Sequence, residues 1–376
     1  LSNAERRILY SESELLILQI QKTLRKQSDP ELLKLKDQLT RVSSSIQLQY
    51  VNRHSSSMIG AFNKVDEIVR LIAVWLLLTI ASVFFALPCI LLSPIDYLLV
   101  NCGIISVHYQ ISVVCKLFLA RSLLRVSGIH LVLEGVDRSD FGKECVLACF
   151  THASSLDAFL LSATIPVIAL TVCKAELFLI PYFSWCASAF GGVPINRENR
   201  DQAVRAMEAA ASAAKLGECM AISPEGTRSL TGQLLEFKKG PFYLWEQLQT
   251  PIVPIVTMGA FELFPPGKTM TIPGKVYVRF LEPILPGEAH TKEEMNILVR
   301  TRMLEALKHV PEDVATDLTW PQRLVCWFNV AIVYFTVWKM YVYMIHYDVL
   351  RHWNMTTAQL WGVFAAVSVL TTLLFY

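Results

Sequence analysis

Short apolar segments alternate with helical segments between Ile129 and Val310, and this alternation constrains the fold more than any other feature of the chain. Apolar runs of about four to eight residues bounded by turn residues are typical of strands. The predicted strands are Ile129–Leu133, Cys145–Phe150, Val167–Val172, Val193–Asn196, Cys219–Ile222, Ile252–Val256 and Val276–Leu281. The predicted helices are Leu156–Ser162, Glu176–Ala189, Gln202–Leu216, Phe242–Gln249 and Lys292–His309. This order predicts an α/β domain at residues 126–310, with a mixed sheet flanked by helices.

An uncharged apolar segment, Leu71–Leu92, precedes this domain. Its length of about 22 residues corresponds to roughly 33 Å of helix, which is enough to cross a bilayer. The next segment, Leu98–Leu119, is also apolar but carries polar residues, so it either completes a hairpin or lies at the membrane interface. The protein is 53% hydrophobic and only 18% charged, which is too apolar for an ordinary soluble protein. Residues 61–125 are therefore predicted to be a membrane anchor of one span or a hairpin.

The two ends of the chain have different characters. Residues 1–60 are polar, with apolar positions at helical spacing, and predict amphipathic helices. These helices could pack on the α/β domain, pair with a second chain or lie on lipid. Residues 311–376 contain two apolar stretches, Leu324–Ile345 and Leu360–Tyr376, which predict a C-terminal transmembrane hairpin.

Charge and cysteine content narrow the functional classes. A formal net charge of +2 predicts no nucleic-acid partner. The nine cysteines are scattered without the close pairs of a metal site, so we expect no metal and reduced thiols. Lys116, Arg121 and Arg125 follow the apolar segments and predict that the catalytic region faces the cytosol.

His152 and Asp157 lie at the boundary between a predicted strand and a predicted helix. On one continuous helix their side chains would point roughly 140° apart and could not touch. They can meet if His152 ends the strand and Asp157 lies in the first turn of the next helix, for which Ser154 is the predicted N-cap. A carboxylate held against an imidazole fixes its tautomer and raises its basicity, which suits the imidazole to take a proton from an alcohol.

Basic residues and glycines follow several predicted strands or turns. The first is Lys174. The others are Gly192 and Arg197 in the segment Gly191–Arg197, Gly226 and Arg228 in the segment Ser223–Ser229, and the pair Lys238 and Lys239. Arginine offers a planar fork to phosphate oxygens, and glycine turns expose main-chain N–H groups. Because ligands bind at strand ends in sheets of this class, the pattern predicts a phosphate site. Any one of these cations alone is more typical of a solvated surface.

Four segments in this order resemble the motifs of the glycerolipid acyltransferase family. They are His152–Asp157 (His-Ala-Ser-Ser-Leu-Asp), Gly192–Arg197, Pro224–Ser229 (Pro-Glu-Gly-Thr-Arg-Ser) and Pro251–Val256. Within the family the sequence is most similar to 1-acylglycerol-3-phosphate acyltransferases. The resemblance covers roughly residues 126–310. Thr151 and Pro194 depart from the family, which often has Asn and a bulky apolar residue there, and this affects the expected donor and acceptor preference rather than the chemistry.

The resemblance implies a role for each motif residue. His152 is expected to be the general base, oriented by Asp157. Glu225, Gly226, Thr227 and Arg228 are expected to bind the glycerophosphate, assisted by Arg197 and Lys174. Pro254 is expected to shape the acyl site. Apart from the resemblance, the proposed reaction itself suggests that the main-chain N–H groups of Gly192 and Val193 hold the oxyanion and that Lys238 and Lys239 bind CoA.

The expected reaction is direct transfer of a fatty acyl group from acyl-CoA to the sn-2 hydroxyl of lysophosphatidic acid at a lipid bilayer, with no cofactor. An integral membrane protein of the endoplasmic reticulum is the expected form, and the oligomeric state is not predicted. The acceptor could instead be glycerol 3-phosphate or a lysophospholipid with a choline or ethanolamine head. An acyl-serine intermediate on Ser154 or Ser155 is a further alternative, although the chain contains no G-x-S-x-G elbow. A non-catalytic membrane adaptor is the alternative from another class.

Overall fold

Seven strands form one sheet in a computed structural model of the protein, and each predicted strand corresponds to one of them. The structure describes residues 3–24, 31, 34–40, 61–81, 87–104, 110–137, 141, 145–179, 183–195, 205, 208–209, 211–212, 214, 218–265 and 267–346. The strands are β1 (Ile129–Gly135), β2 (Leu147–Phe150), β3 (Ala169–Lys174), β4 (Gly192–Ile195), β5 (Cys219–Ile222), β6 (Ile252–Met258) and β7 (Gly274–Phe280). Their order is β1-β7-β6-β2-β5-β3-β4, and only β6 and β7 pair antiparallel. The predicted mixed α/β sheet is therefore confirmed.

Side chains of the central strands enter the core on both faces of the sheet. Leu147 and Cys149 of β2 pack into one apolar cluster, whereas Ala148 and Phe150 pack into a second cluster on the other face. This alternation follows from the two-residue period of a strand. Strand β6 is buried at every position, as expected for a strand covered by helices on both sides.

Ten helices and two 3-10 turns have bounds in the described part of the chain. The helices are α1 (Asn3–Leu24), α2 (Ala61–Ala81), α3 (Leu87–Asn101), α4 (Ile111–Val126), α5 (Asp157–Thr164), α6 (Phe183–Ala189), α7 (Gly240–Leu248), α8 (Ala260–Leu263), α9 (Lys292–Lys308) and α10 (Trp320–His346); the 3-10 turns are Ala175–Leu179 and Pro286–Glu288. The predicted helix Glu176–Ala189 is thus replaced by a 3-10 turn and α6, and Pro181 lies between them in the sequence. The described positions within Gln202–Leu216 are helical.

The predicted transmembrane spans are not confirmed. Among the residues that the structure describes, no helix combines the length and the apolar composition needed to cross a bilayer. The predicted span Leu71–Leu92 is shared between α2 and α3, and Leu324–Ile345 falls within α10. Residues 82–86 and the predicted segment Leu360–Tyr376 lie outside the described residues.

The predicted segment Leu98–Leu119 is divided between the end of α3 and α4, and α4 packs on the α/β domain. Its buried face packs against α5. The Lys116 ammonium group donates to the carbonyl of Ile165 at 2.9 Å and also to that of Val167, and Arg121 Nε donates to the carbonyl of Ala163 at 3.2 Å. These two cations bind the free carbonyls at the end of α5, so they do not indicate which side of a membrane the domain faces.

Arg70 connects α2 to the catalytic domain. Its Nε donates to Asp66 at 2.9 Å within the helix, and its Nη1 donates to the carbonyls of Ser127 at 2.7 Å and Thr271 at 3.1 Å. The side chain is buried. Because a buried guanidinium requires such partners, α2 is held in one position against the loops before β1 and β7.

Helix α1 packs on α9 and extends the apolar core. Leu15 joins the same cluster as Met295 and Val299 of α9, and Ile17 and Ile20 are also buried. Of the three arrangements open for the amphipathic N-terminus, α1 therefore adopts packing on the catalytic domain.

Candidate active site

His152 and Asp157 contact each other directly. His152 lies two residues beyond the end of β2 and Asp157 is the first residue of α5, so the chain reverses between them. The Nδ1 atom of His152 lies 2.8 Å from Oδ2 of Asp157. The strand-turn-helix arrangement predicted for this segment is present.

Asp157 is completely buried and its carboxylate is surrounded by donors. Besides His152, its Oδ2 accepts the main-chain N–H groups of Ala153 at 2.9 Å and Ser154 at 2.8 Å. Its Oδ1 accepts the hydroxyl of Thr257, at the end of β6, at 3.5 Å. Because an ionised carboxylate only accepts hydrogen bonds, this environment assigns the proton between the pair to Nδ1 of His152. In the neutral imidazole the nitrogen without a hydrogen is then Nε2, on the opposite side of a partly exposed ring.

The two serines between His152 and Asp157 are engaged elsewhere. The buried Ser154 hydroxyl donates to the carbonyl of Phe264 at 2.7 Å and accepts the N–H of Leu156 at 3.1 Å. The N-cap of α5 is Leu156 rather than the predicted Ser154. The Ser155 hydroxyl accepts a hydrogen bond from Nη1 of Arg228. Neither arrangement prepares a serine nucleophile, since the proton of such a serine must pass to a base.

Glu225 lies behind the histidine instead of in the phosphate site. Its side chain is 1% exposed. Its Oε1 accepts the main-chain N–H of His152 at 2.7 Å, and its Oε2 accepts that of Leu235 at 2.9 Å. Burial raises the pKa of the Glu225 carboxyl to about 8, although these two hydrogen bonds lower it. The assignment of Glu225 to the glycerophosphate is therefore corrected, because both of its oxygens already bind the protein main chain.

The rest of the Glu-Gly-Thr-Arg segment reaches the surface beside the dyad. Gly226 has a φ of +69°, a conformation that favours glycine. Thr227 and Arg228 are exposed, and the bond from Arg228 to Ser155 holds the guanidinium against the His152–Asp157 turn. The next residue, Ser229, donates its N–H to the carbonyl of His152 at 2.8 Å. Arg228 is thus placed beside the histidine, as predicted.

Lys238 lies against the segment that contains Pro224 and Gly226. Its N–H donates to the carbonyl of Pro224 at 2.7 Å, and its Cγ lies 3.1 Å from the position that a side chain on Gly226 would occupy. Lys239 is the N-cap residue of α7. Both lysines are exposed, so they add positive charge to the surface that carries Arg228.

The structure does not bring Gly192 and Val193 to the dyad. They lie in β4 at the edge of the sheet, separated from β2 by β3 and β5, a distance of about 14 Å at the usual strand spacing. Through the strand register Gly192 aligns with Ala148, four residues before His152. The predicted oxyanion role is therefore wrong, since an oxyanion hole requires N–H groups within hydrogen-bond distance of the reacting oxygen.

Three other predicted site residues are not part of the cluster. Lys174 is exposed at the end of β3 and pairs with Glu176 at 3.2 Å. Pro254 is buried in the middle of β6, so that strand forms core and does not line an acyl surface. Arg197 lies outside the described residues.

An apolar cavity of about 100 Å³ is lined by residues of α5, among them Ala158 and Phe159, and by Gly192 of β4. Helices α2, α4, α5 and α6 and strand β3 surround it. The larger apolar side chains that line it are Leu78, Leu119, Leu123, Phe159, Leu161, Ile165 and Phe190. Phe159 follows Asp157 by two residues, so the cavity and the dyad share one short helix.

Two residues that contact the site were missed in the sequence. Thr257 ends β6 and could have been found, because β6 is the neighbour of β2 and its carboxyl end lies at the same edge of the sheet. Arg300 in α9 donates to the carbonyl of Leu235, the residue that also binds Glu225. Arg300 lies 65 residues from Leu235 in the sequence, so no local pattern of residues could predict this contact.

Known proteins resemble this chain in sequence and fold. The family model described as Acyltransferase matches residues 124–258. The 1-acyl-sn-glycerol-3-phosphate acyltransferase of Cocos nucifera is 29% identical over 249 residues, which are 65% of this chain and 76% of that protein. The 1-acyl-sn-glycerol-3-phosphate acyltransferase beta of Homo sapiens is 32% identical over 210 residues, which are 52% of this chain and 73% of the human protein.

The fold has a solved counterpart. The crystal structure of the 1-acyl-sn-glycerophosphate (LPA) acyltransferase PlsC from Thermotoga maritima aligns with a TM-score of 0.53 and 23% identity, covering 66% of this chain and 99% of PlsC. At this identity the likeness concerns the fold alone. The sequence matches and the ordered motifs together show that the chain belongs to the 1-acylglycerol-3-phosphate acyltransferase group of the glycerolipid acyltransferase family.

Proposed function

We propose that the protein transfers a fatty acyl group from acyl-CoA to the sn-2 hydroxyl of lysophosphatidic acid, with His152 as the general base. The observation that carries this proposal is the 2.8 Å contact between Nδ1 of His152 and Asp157, beside the exposed guanidinium of Arg228. A base and a phosphate-binding cation on one surface suit an acceptor that has both a hydroxyl and a phosphate group.

In the proposed reaction, Nε2 of His152 removes the proton of the acceptor hydroxyl as its oxygen attacks the thioester carbonyl of acyl-CoA. The tetrahedral intermediate collapses with release of the CoA thiolate, which takes up the proton from the imidazolium. Asp157 stabilises that imidazolium and remains ionised. Its carboxylate keeps the hydrogen bonds from Ala153, Ser154 and Thr257 during the reaction. A new ester bond replaces the thioester bond, so no metal or covalent enzyme intermediate is required.

Arg228 and Lys238 are proposed to bind the phosphate of the acceptor. Arg228 is held beside the dyad by Ser155, which reduces the freedom that the side chain would lose on binding. Lys239 adds charge for the phosphates of CoA. The acyl chain is proposed to enter the apolar cavity lined by α5, because burial of methylene groups there is favourable.

A lipid bilayer is the proposed location of both substrates. Large apolar side chains are exposed along two helices, Leu91, Ile95, Tyr97 and Leu98 on α3 and Trp320, Trp327, Phe328 and Phe335 on α10. Helices that expose several large apolar side chains are typical of proteins that bind a membrane surface. No disulfide joins any of the nine cysteines, all of which lie in the described part of the chain, and this supports a catalytic domain on the reducing, cytosolic side of the endoplasmic reticulum.

Thiol release from acyl-CoA by the purified protein tests the proposal. We expect release to depend on lysophosphatidic acid, and to be weak with lysophosphatidylcholine, lysophosphatidylethanolamine or glycerol 3-phosphate. A preference for one of these other acceptors would replace the proposed substrate. Failure to release thiol with any acceptor, from a protein shown to be folded, would favour the adaptor alternative.

A further inference from the structure

An ion pair joins the N-terminal helix to the catalytic domain at a buried position. Glu14 of α1 and Arg300 of α9 lie 2.7 Å apart, from Oε2 to Nη2. Their side chains are 16% and 6% exposed. Such a pair differs from the exposed ion pair between Arg302 of α9 and Glu288, at 3.2 Å with 39% and 38% exposure, because solvent screens the latter far more.

Arg300 continues from this pair toward the dyad. Its Nη1 donates to the carbonyl of Leu235. The N–H of the same residue, Leu235, donates to Oε2 of Glu225 at 2.9 Å. The other oxygen of Glu225 accepts the N–H of His152 at 2.7 Å. Consecutive contacts therefore connect α1 to the main chain of His152, and each of them is a hydrogen bond made by a buried or partly buried group.

A small polar cavity lies along the same path. It has a volume of about 20 Å³, and Ser11 of α1 lines it together with Thr151, Glu225, Gln233 and Thr257. The Nε2 atom of Gln233 is buried without a hydrogen-bond partner among the described residues. A cavity of this size and polarity fits one water molecule. Helix α1 thus closes the space directly behind the dyad as well as supplying Glu14.

We infer that α1 is part of the catalytic apparatus, and that Glu14 and Arg300 are positioning residues which hold His152 through Leu235 and Glu225. Glu225 binds the main chain of His152 and not its side chain. A displacement of Leu235 and Glu225 therefore moves the backbone that carries the imidazole, and the imidazole moves relative to the acceptor. Misplacement of a reacting group by about 1 Å costs on the order of 100-fold in rate. The expected fall in kcat rests on the proposed function. The expected loosening of the His152 main chain does not rest on it.

The test combines kinetics with amide hydrogen exchange in the full-length protein. The variants are Arg300→Met, the milder Arg300→Lys and Glu14→Gln, and the matched controls are Arg302→Met on α9 and Glu12→Gln on the exposed face of α1. We expect Arg300→Met to lower kcat by about 10-fold or more, with the KM for lysophosphatidic acid unchanged, because the phosphate cations remain in place. Arg300→Lys and Glu14→Gln should have smaller effects in the same direction, and the controls should have none.

Hydrogen exchange gives a readout that does not depend on turnover. The amide of His152 should exchange faster in Arg300→Met than in the parent, whereas amides of β3 and β4 should not change. Unchanged kcat and unchanged exchange at His152 in well-folded Arg300→Lys and Glu14→Gln would overturn the inference, as would an equal loss of kcat in Arg302→Met. If the parent protein is inactive but the His152 amide responds, the proposed function fails and the positioning role stands.

Discussion

The main-chain N–H of His152 donates to Oε1 of Glu225 at 2.7 Å. The carboxyl group that the family resemblance places on the substrate thus binds the segment that carries the proposed base. A carboxylate would also repel a phosphate, whereas a buried acceptor for the His152 amide satisfies a donor that β2 leaves free at its end. Within the Glu-Gly-Thr-Arg segment, Glu225 is therefore buried and Arg228 is exposed.

Removal of the imidazole should abolish most of the activity. We expect His152→Ala to lower kcat by about 10²- to 10⁴-fold, the range for loss of a general base, while the exposed His290→Ala variant should match the parent. Thiol release from acyl-CoA in the presence of lysophosphatidic acid measures both. Turnover at the parental rate by His152→Ala would contradict the assignment of the base.

Arg228 should affect binding of the acceptor more than the rate of the chemical step. A hydrogen bond to a charged group contributes about 1.5–3 kcal/mol, or roughly 10- to 150-fold in affinity. We therefore expect Arg228→Met to raise the KM for lysophosphatidic acid by about that factor with a smaller change in kcat. The exposed Lys268→Met variant removes the same charge elsewhere and should leave KM unchanged. A KM for Arg228→Met equal to that of Lys268→Met would exclude Arg228 from the phosphate site.

The stability of the protein should depend on the protonation of Glu225. Burial raises the pKa of this carboxyl from 4.5 to about 8, so between these values the folded protein binds a proton that the unfolded chain releases. Stability from this group is then greatest below pH 4.5 and is lost as the pH rises toward 8, by at most about 1.4 kcal/mol per pH unit.

The variant Glu225→Gln cannot titrate at this position. We expect it to be less stable than the parent at pH 5, because its amide group faces one main-chain N–H, and we expect the difference to shrink as the pH rises to 8. Denaturant unfolding across this pH range measures the difference. A difference that stays constant from pH 5 to pH 8 would show that the carboxyl is ionised throughout this range.

The apolar cavity should limit the length of the acyl chain. Ala187 lines the cavity, and Ala187→Leu would fill part of it, whereas Ser188→Leu adds a similar side chain at the exposed neighbouring position. Each methylene group excluded from the cavity loses about 0.8 kcal/mol. We expect Ala187→Leu to lower kcat/KM for palmitoyl-CoA relative to octanoyl-CoA, and Ser188→Leu to change neither. Equal losses for both donors in Ala187→Leu would place the acyl chain elsewhere.

The sequence alone determined the elements of this fold and the contact between His152 and Asp157. All seven strands were predicted, because an apolar run bounded by turn residues is a local property of the chain. The dyad was predicted for the same reason, since the short turn between β2 and α5 decides whether two residues five positions apart can meet. The choice of α/β class followed from the order of these elements.

Only the tertiary structure decided which of the remaining motif residues share a surface. Gly192 and Val193 resemble an acyltransferase motif, yet strand order places them three strands from the histidine. Lys116 reads as a membrane-flanking charge, yet it binds carbonyls at the end of α5. Arg300 has no motif, yet it contacts the residue that binds Glu225. Strand order and burial arise from contacts between segments that are distant in the chain, and no local pattern of residue types records them.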